Sequence, residues 1–290
     1  MRVLVTGASG RLGSAIVASL PYEVIAPSRQ ELDLNDAKHI PETLDRLLPD
    51  AVINAAAYTD VDRAETERDA AMRINSDAPQ ALAAWSASRN VPIIHISTDF
   101  VFSGSGTLPW SERAEPEPIN HYGVTKLRGE NGVREAGGEH LVIRTSWLFG
   151  RHGKSFLRSI LAAAAQGSEI KVVSDQIGSP TFVEDLAQGI TEIVKHREQR
   201  GALTSGVLHL TNLGWVSRAG FAAAAIAEAA RVGVLSSPTH VVEVSTSSLA
   251  SPAERPLNSR LDCTKAASEF GVTLPSWDDA LGRSLQGFSL

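Results

Sequence analysis

The sequence predicts an α/β fold: a parallel sheet wound with crossover helices, followed by a smaller mixed α/β region. Three observations predict it. Short apolar, β-branched runs recur along the chain, helical stretches separate them, and several of the runs end in polar residues. In open sheets of this kind ligands gather outside the carboxyl ends of the strands, so a polar strand exit marks a place for chemistry.

Taken in order, residues 1–5 form a short apolar strand, and a glycine-bearing loop at 7–13 leads into a helix over 11–20. Strands follow at 24–26 and 51–55, then a helix over 75–87. Residues 91–97, Val-Pro-Ile-Ile-His-Ile-Ser, read as a central strand ending at chemistry, and Leu-Val-Ile-Arg-Thr-Ser at 141–146 repeats that arrangement. Between them, 104–118 is irregular, charged and proline-containing, a loop carried over a cleft, and a helix begins at 122–129. The second half predicts helices over 154–165, 182–196, 218–230, 265–270 and 278–285, with strands at 170–173, 207–210 and 240–244. The alanine-rich stretch 222–230 needs no more than helix propensity or close packing. The expected division is a core over 1–150 and a second region over 151–290, from which 182–230 returns elements to the core.

A chain of 290 residues, 43% hydrophobic, can bury one large core or two closely joined domains. Its formal charge of -6 is spread along the sequence. Nucleic acid would require a positive footprint, and none is visible, so it is not an expected partner. An anionic metabolite is compatible with this charge, because a few Arg, Lys and backbone donors suffice to hold a phosphate. No apolar run reaches the roughly 18 residues of a membrane span, so no membrane partner is expected. The first residues enter a glycine turn before a signal peptide could be completed. Cys263 stands alone, which leaves no internal disulfide framework and reads as a packing residue. The expected setting is cytoplasmic and reducing.

The loop Gly7-Ala-Ser9-Gly10-Arg11-Leu12-Gly13 lies between a strand and a helix. Its glycines permit tight turning, and the helix amides that follow can hold a pyrophosphate, which makes the sheet Rossmann-like. The second strand reaches Ser28-Arg29 where an NAD site places an acid. Serine and arginine accommodate a ribose phosphate, so NADPH is favoured; NADH is the alternative if Arg29 is only a turn residue. Asp33 and Leu34 are adenine-side candidates, or Asp33 is a local cap. Ala55, Ala56 and Ala57 are small enough for backbone to approach a flat cofactor, or they pack the core. Thr59 and Asp60 offer polar groups at the same edge, or cap a helix.

Tyr122 and Lys126 are four residues apart, so a helix places both on one face. Carbonyl reduction needs a hydride on carbon and a proton on oxygen. Tyr122 can donate that proton while Lys126 lowers the phenol pKa and holds the nicotinamide ribose. Thr98 can polarise the carbonyl. Asp99 could orient Tyr122 or Thr98, contact substrate hydroxyls, or cap local backbone. It is a poor primary acid, because an ordinary aspartate is ionised at pH 7.

Several of these segments recur in a known order: 7–13, 54–62, Ser97-Thr-Asp-Phe-Val-Phe-Ser-Gly104, Tyr122-Gly-Val-Thr-Lys126, Arg144-Thr-Ser-Trp-Leu-Phe-Gly150, Asp175-Gln-Ile-Gly-Ser-Pro-Thr181 and Arg255-Pro-Leu-Asn-Ser-Arg260. Over nearly its whole length the chain resembles the extended short-chain dehydrogenase/reductase superfamily, and within it the dTDP-4-dehydrorhamnose reductase family. The resemblance implies NADPH-dependent reduction of the 4-keto group of dTDP-6-deoxy-L-lyxo-4-hexulose to dTDP-L-rhamnose, with Tyr122, Thr98 and Lys126 as the catalytic residues. The core over 1–150 is then the NADP-binding unit, and 151–290 mainly the substrate-binding region.

The same resemblance implies that Trp147 packs on the thymidylyl group and that Asn258 and Arg260 border the nucleotide-sugar cleft, where arginine pairs with diphosphate. The alternatives are a core tryptophan and a salt-bridge arginine. Gln176, Ser179 and Thr181 contact sugar hydroxyls or make local turn bonds, and Arg144 fixes the cleft. Phe100, counted with the substrate contacts, stands where the family commonly carries tyrosine, so a hydroxyl there is not essential to this chain. Some relatives hold magnesium at a dimer contact. Here Glu184 and Asp185 could contribute to one or lie on a helix surface, and no metal site is assigned. A homodimer is implied by resemblance alone. The competing readings are another nucleotide-sugar 4-ketoreductase and a noncatalytic regulatory subunit of the same fold, the second disfavoured by intact Thr98, Tyr122 and Lys126.

Overall fold

The computed structural model describes residues 1–167 and 169–290. The first half runs β1 (Arg2–Thr6), α1 (Arg11–Ser19), β2 (Glu23–Ile25), α2 (Ile40–Leu47), β3 (Ala51–Asn54), α3 (Val61–Ala64), α4 (Arg68–Met72), α5 (Ala78–Arg89), β4 (Ile93–Thr98), α6 (His121–Glu135) and β5 (His140–Thr145). The second half adds β6 (Leu148–Phe149), α7 (Phe156–Ala165), β7 (Ile170–Val173), β8 (Ile177–Gly178), β9 (Thr181–Phe182), α8 (Val183–Arg200), β10 (Gly206–His209), β11 (Val216–Ser217), α9 (Arg218–Arg231), β12 (Val241–Val244), β13 (Asn258–Ser259), α10 (Thr264–Phe270) and α11 (Trp277–Leu285).

Six strands form one sheet in the order β10-β5-β4-β3-β1-β2, every pair parallel. Both faces are covered, which is why these strands are almost continuously apolar. Val3, Val5, Ile53, Ile94, Ile96, Leu141 and Ile143 pack toward Leu12 and Ile16 of α1 and Leu186 and Ile190 of α8. Their neighbours Leu4, Val52, Ile93 and Val142 pack toward Leu44 of α2, Leu82 of α5 and Val133 of α6. The order of strand addition reverses between β1 and β3, β2 lying on one side of β1 and β3 on the other, so a crevice opens outside their carboxyl ends, beside the glycine loop.

A second core joins Phe149, Leu161, Phe182, Phe221, Ile226 and Leu281. Ala219, Ala222, Ala225 and Ala229 of α9 are all buried in it, so the alanine run is a close-packing face. Beside that core lies a three-stranded sheet, β11-β8-β13. The second half also returns to the first: α8 packs on α1 through the shared core, and β10 pairs with β5 in the register Gly206↔Leu141.

The helix expected over 75–87 is present and begins earlier, as an unbroken helical run from α4 into α5. Residues Arg73–Asp77 wind as a π-helical turn, and α5 begins at Ala78. Within that turn the Asn75 amide donates to the Tyr58 carbonyl and the Thr125 hydroxyl and accepts from the Tyr58 amide. The sequence pattern missed α2, α3 and α4, and it missed the two-residue strands of the second half. Among the described residues no helix is long and apolar enough to cross a membrane.

The helix–sheet contact under the crevice carries a buried ion pair. Arg144 on β5 donates to Glu130 on α6 from Nε at 2.9 and 3.1 Å and from Nη2 at 2.6 Å, and the Ser97 hydroxyl on β4 donates to the same carboxylate at 2.5 Å. The two side chains are 2% and 0% exposed, so neither charge has water to fall back on. Glu130→Leu leaves a stranded guanidinium and is expected to cost about 3–5 kcal/mol. Pairing it with Arg144→Met is expected to recover most of that loss, which urea denaturation of the single and double variants will read out.

Candidate active site

The glycine loop fits a dinucleotide for steric reasons. Gly7 has φ +68, and a Cβ there would lie 2.8 Å from Ala56 N and Cα; a Cβ on Gly13 would lie 2.0 Å from the Gly7 carbonyl oxygen. The loop, the start of α1 and the backbone of Ala55 and Ala56 are therefore in direct contact, with Ala57 following them. Gly10 caps α1 with extended backbone and no side-chain hydrogen bond, which leaves the first helical amides to a phosphate. Leu12 is buried beneath, and Ser9 is exposed at the rim.

Other cofactor candidates are occupied by the protein itself. Arg11 turns away, its Nη1 donating to the Leu148 carbonyl at 2.8 Å, so this side chain ties the glycine loop to β6. Asp33 accepts from the Asn35 amide and Nδ2, both at 2.9 Å, and is a local turn residue. Leu34 packs against the α2–α5 side of the core. At the second strand exit Arg29 is exposed, while the Ser28 amide donates to Glu31 Oε2 at 2.8 Å.

Tyr122, Lys126 and Glu130 repeat every four residues along α6. Lys126 is 1% exposed; its Nζ donates to the Ile96 carbonyl at 2.7 Å and lies 3.3 Å from His95 Nε2. Behind it, the Asn54 amide is 3.0 Å from His95 Nδ1, and Asn54 accepts from the Thr6 hydroxyl at 2.6 Å. Burial lowers the Lys126 pKa to about 8, opposed by the Glu130 carboxylate. Burial also holds His95 well below its usual range, with the Lys126 charge adding to the effect.

Burial pushes the Tyr122 phenol up to about 12; a hydrogen bond to Thr98 opposes the rise and the Asp99 charge adds to it. This corrects one expectation. In the protein alone Lys126 serves His95 and a strand carbonyl, and the phenol is raised rather than lowered. A Cβ on Gly123 would meet the Phe100 carbonyl oxygen at 2.2 Å, so the glycine after Tyr122 is what brings α6 against the 98–100 segment.

On the substrate side, Thr98 donates to Asp99 Oδ1 at 3.0 Å and accepts from the Phe100 amide at 3.2 Å. Asp99 is 3% exposed; burial raises its carboxyl to about 6 against the pull of Ser259, Thr98 and Arg218. The Phe100 ring meets Tyr122 edge-on at 5.7 Å. Trp147 takes a left-handed φ of +48, and the Arg218 guanidinium lies 3.6 Å from its ring centroid.

Several predicted ligand contacts are bracing groups. Asp60 caps α3 by accepting from the Arg63 amide, and Thr59 is exposed beside it. Gln176 donates to the Thr246 hydroxyl at 3.1 Å. Asn258 donates to the Leu108 carbonyl at 2.8 Å, and Arg260 donates to the Thr107 carbonyl at 2.9 Å, so both hold the 104–110 loop over the site. Thr181 donates to the Ser179 carbonyl, a local turn bond. Asp185 is not on a helix surface: it is 8% exposed, and both oxygens accept from Arg283 at 2.7 Å. Among the described residues no cluster of three or more His, Cys, Asp and Glu is placed to hold a metal.

Sequence reasoning missed His95, Glu130, Ser259 and Arg218. Glu130 could have been found, because it continues the four-residue spacing of Tyr122 and Lys126. His95 sits inside an apolar strand and Arg218 begins an alanine-rich helix, and neither position carried a motif.

Comparison with known proteins gives one consistent result. A family model described as RmlD substrate binding domain matches residues 1–290. A dTDP-4-dehydrorhamnose reductase of Burkholderia thailandensis is 40% identical, with 97% of each chain covered. Crystal structures of dTDP-4-dehydrorhamnose reductase from Bacillus anthracis, in complex with NADP, and of an ortholog from Clostridium acetobutylicum superpose with TM-scores of 0.88 and 0.89. They are 32% and 33% identical, with 99% of each chain covered.

Arg29 is exposed at the second strand exit, where its charge is available to a ribose phosphate. Arg29→Ala is expected to weaken NADPH about 10-fold while leaving NADH nearly unchanged, measured by fluorescence titration of each cofactor.

Proposed function

The chain belongs to the RmlD substrate binding domain family, and from that premise we propose that it reduces the 4-keto group of dTDP-6-deoxy-L-lyxo-4-hexulose, giving dTDP-L-rhamnose at the expense of NADPH. The observation that carries this reading is the placement of Thr98, Tyr122 and Lys126 at the carboxyl edge of the sheet that also carries the glycine cradle. The NADP bound to the Bacillus anthracis relative supports the choice of cofactor. The lone Cys263, half-buried and with its thiol pKa raised by burial, suits a cytoplasmic protein.

Bound NADPH supplies the hydride. Tyr122 supplies the proton: a phenol near 12 keeps it at neutral pH until a carbonyl oxygen gains charge beside it. Thr98, whose single hydroxyl proton rests on Asp99 Oδ1 in the protein alone, turns that proton to the same oxygen and polarises it. Lys126 holds the nicotinamide ribose and presents its charge on the phenol's side of α6. Asp99, ionised above about pH 6, receives a sugar hydroxyl.

The deciding assay follows NADPH oxidation with the keto sugar and identifies the product. Turnover to a different 6-deoxy sugar would move the assignment to another nucleotide-sugar 4-ketoreductase, and NADPH binding without turnover would favour a regulatory subunit. Tyr122→Phe is expected to lower kcat by about 10²–10⁴-fold with NADPH affinity retained. For the wild type, kcat/KM is expected to rise as Asp99 ionises through about pH 6 and to fall above about pH 8 as Lys126 loses its proton. A profile flat between those values and beyond would remove both groups from the reaction.

A further inference from the structure

We propose that Arg218 is the anchor for the diphosphate of the sugar nucleotide, a role that rests on the reading of the substrate as a dTDP sugar. Arg218 opens α9 directly after β11, next to β8 and β13, and its backbone amide donates to the Gln176 carbonyl at 3.1 Å. A cation in the first turn opposes the helix dipole, so the helix gains nothing from its charge there. Its guanidinium is instead laid on the Trp147 ring, 3.6 Å from the centroid, with the Phe156 ring at 5.1 Å. Stacking of this kind fixes the plane of the fork while leaving its N–H edge free.

The neighbouring arginines are already engaged. Arg144 is paired with Glu130, Arg255 with Asp62 at 2.8 Å, and Arg260 with the Thr107 carbonyl at 2.9 Å. Of these four, Arg218 is the one whose guanidinium makes no hydrogen bond to another described residue, and its nitrogens are not among the buried unpartnered atoms, so the N–H edge stays open to solvent. Asp99 lies within electrostatic reach of it, yet Asp99 Oδ2 also has no partner among the described residues, so the two charges do not satisfy one another. The Arg255 charge opposes that of Arg218. An anion received here relieves that repulsion and takes the place of water on the open N–H edge, and the diphosphate is the anionic part of a dTDP sugar. It also explains Trp147: the face that carries Arg218 is a platform for a cation, and it is not open to the thymine ring.

The test is calorimetric titration of dTDP into wild type, Arg218→Lys and Arg218→Met, with steady-state kinetics alongside. Loss of a charge-assisted fork is expected to weaken dTDP about 10- to 100-fold in Arg218→Met and to raise KM for the keto sugar similarly, with kcat changed much less. Lysine keeps the charge without the fork and is expected to fall between. NADPH affinity and thermal midpoint are expected to stay at wild-type values in Arg218→Lys. Unchanged dTDP affinity in both variants overturns the proposal, as does an affinity loss that merely follows loss of NADPH binding and stability. Wild-type turnover tests the substrate reading separately. If dTDP binding depends on Arg218 and the keto sugar is not reduced, the anchor stands and the substrate does not; a wild type that binds no dTDP overturns both.

Discussion

One face of α6 is polar and buried, and the site depends on how its charges are satisfied. Lys126 and Glu130 stand where an ordinary crossover helix would place leucine, against strands with no water between. Each is answered from a different strand residue: Lys126 by the Ile96 carbonyl and His95, Glu130 by Ser97 and Arg144. Sliding the helix by one turn would strand both charges, so the register of Tyr122 against Thr98 is set by a penalty rather than by a strong attraction. Buried ion pairs add little net stability over apolar packing, and a single workable register is the best account of this one.

That burial also separates the protonation states the chemistry requires. The same withdrawal from water raises an acid and lowers a base, leaving a phenol near 12, an ammonium near 8 and a carboxyl near 6 within one site. At neutral pH the phenol is therefore loaded with its proton, most of the lysine is charged and most of the aspartate is ionised. Groups whose pKa values are pushed apart in this way suit the separate tasks of proton donor, cofactor grip and substrate orientation that the proposed reduction needs.

The parallel sheet was legible because strands covered on both faces must be apolar and β-branched, and because the crossover helices are long enough to show a period. Gly7, Gly13, Tyr122 and Lys126 were legible because sterics and a four-residue spacing allow few substitutes. The short strands β8, β11 and β13 were not, since two residues have no period, and they form the small sheet from which Arg218 enters α9. Asp33 and Asp60, read from their places near strand exits, and Gln176 and Asn258, implied by the resemblance, all make hydrogen bonds within the protein. Each has an acceptor or donor on nearby backbone or loop, and sequence alone does not distinguish a group that faces a ligand from one that braces the wall around it. Arg218 shows the reverse: nothing around it in sequence marks it, and only the ring beneath it and its open N–H edge do.

The return of α8 and β10 to the first half decides what kind of unit this protein is. The core that binds the glycine loop to the sheet is completed by Leu186, Ile190 and Leu208, residues that arrive only after the chain has built much of the opposite wall. A chain ending near residue 150 would leave β5 as an open edge and uncover the apolar side of α1, the combination that invites strand pairing between molecules. The two halves of the cleft are thus not separable modules that evolution or an engineer can exchange at a linker. New substrate preferences have to be written residue by residue into a scaffold that folds as a whole.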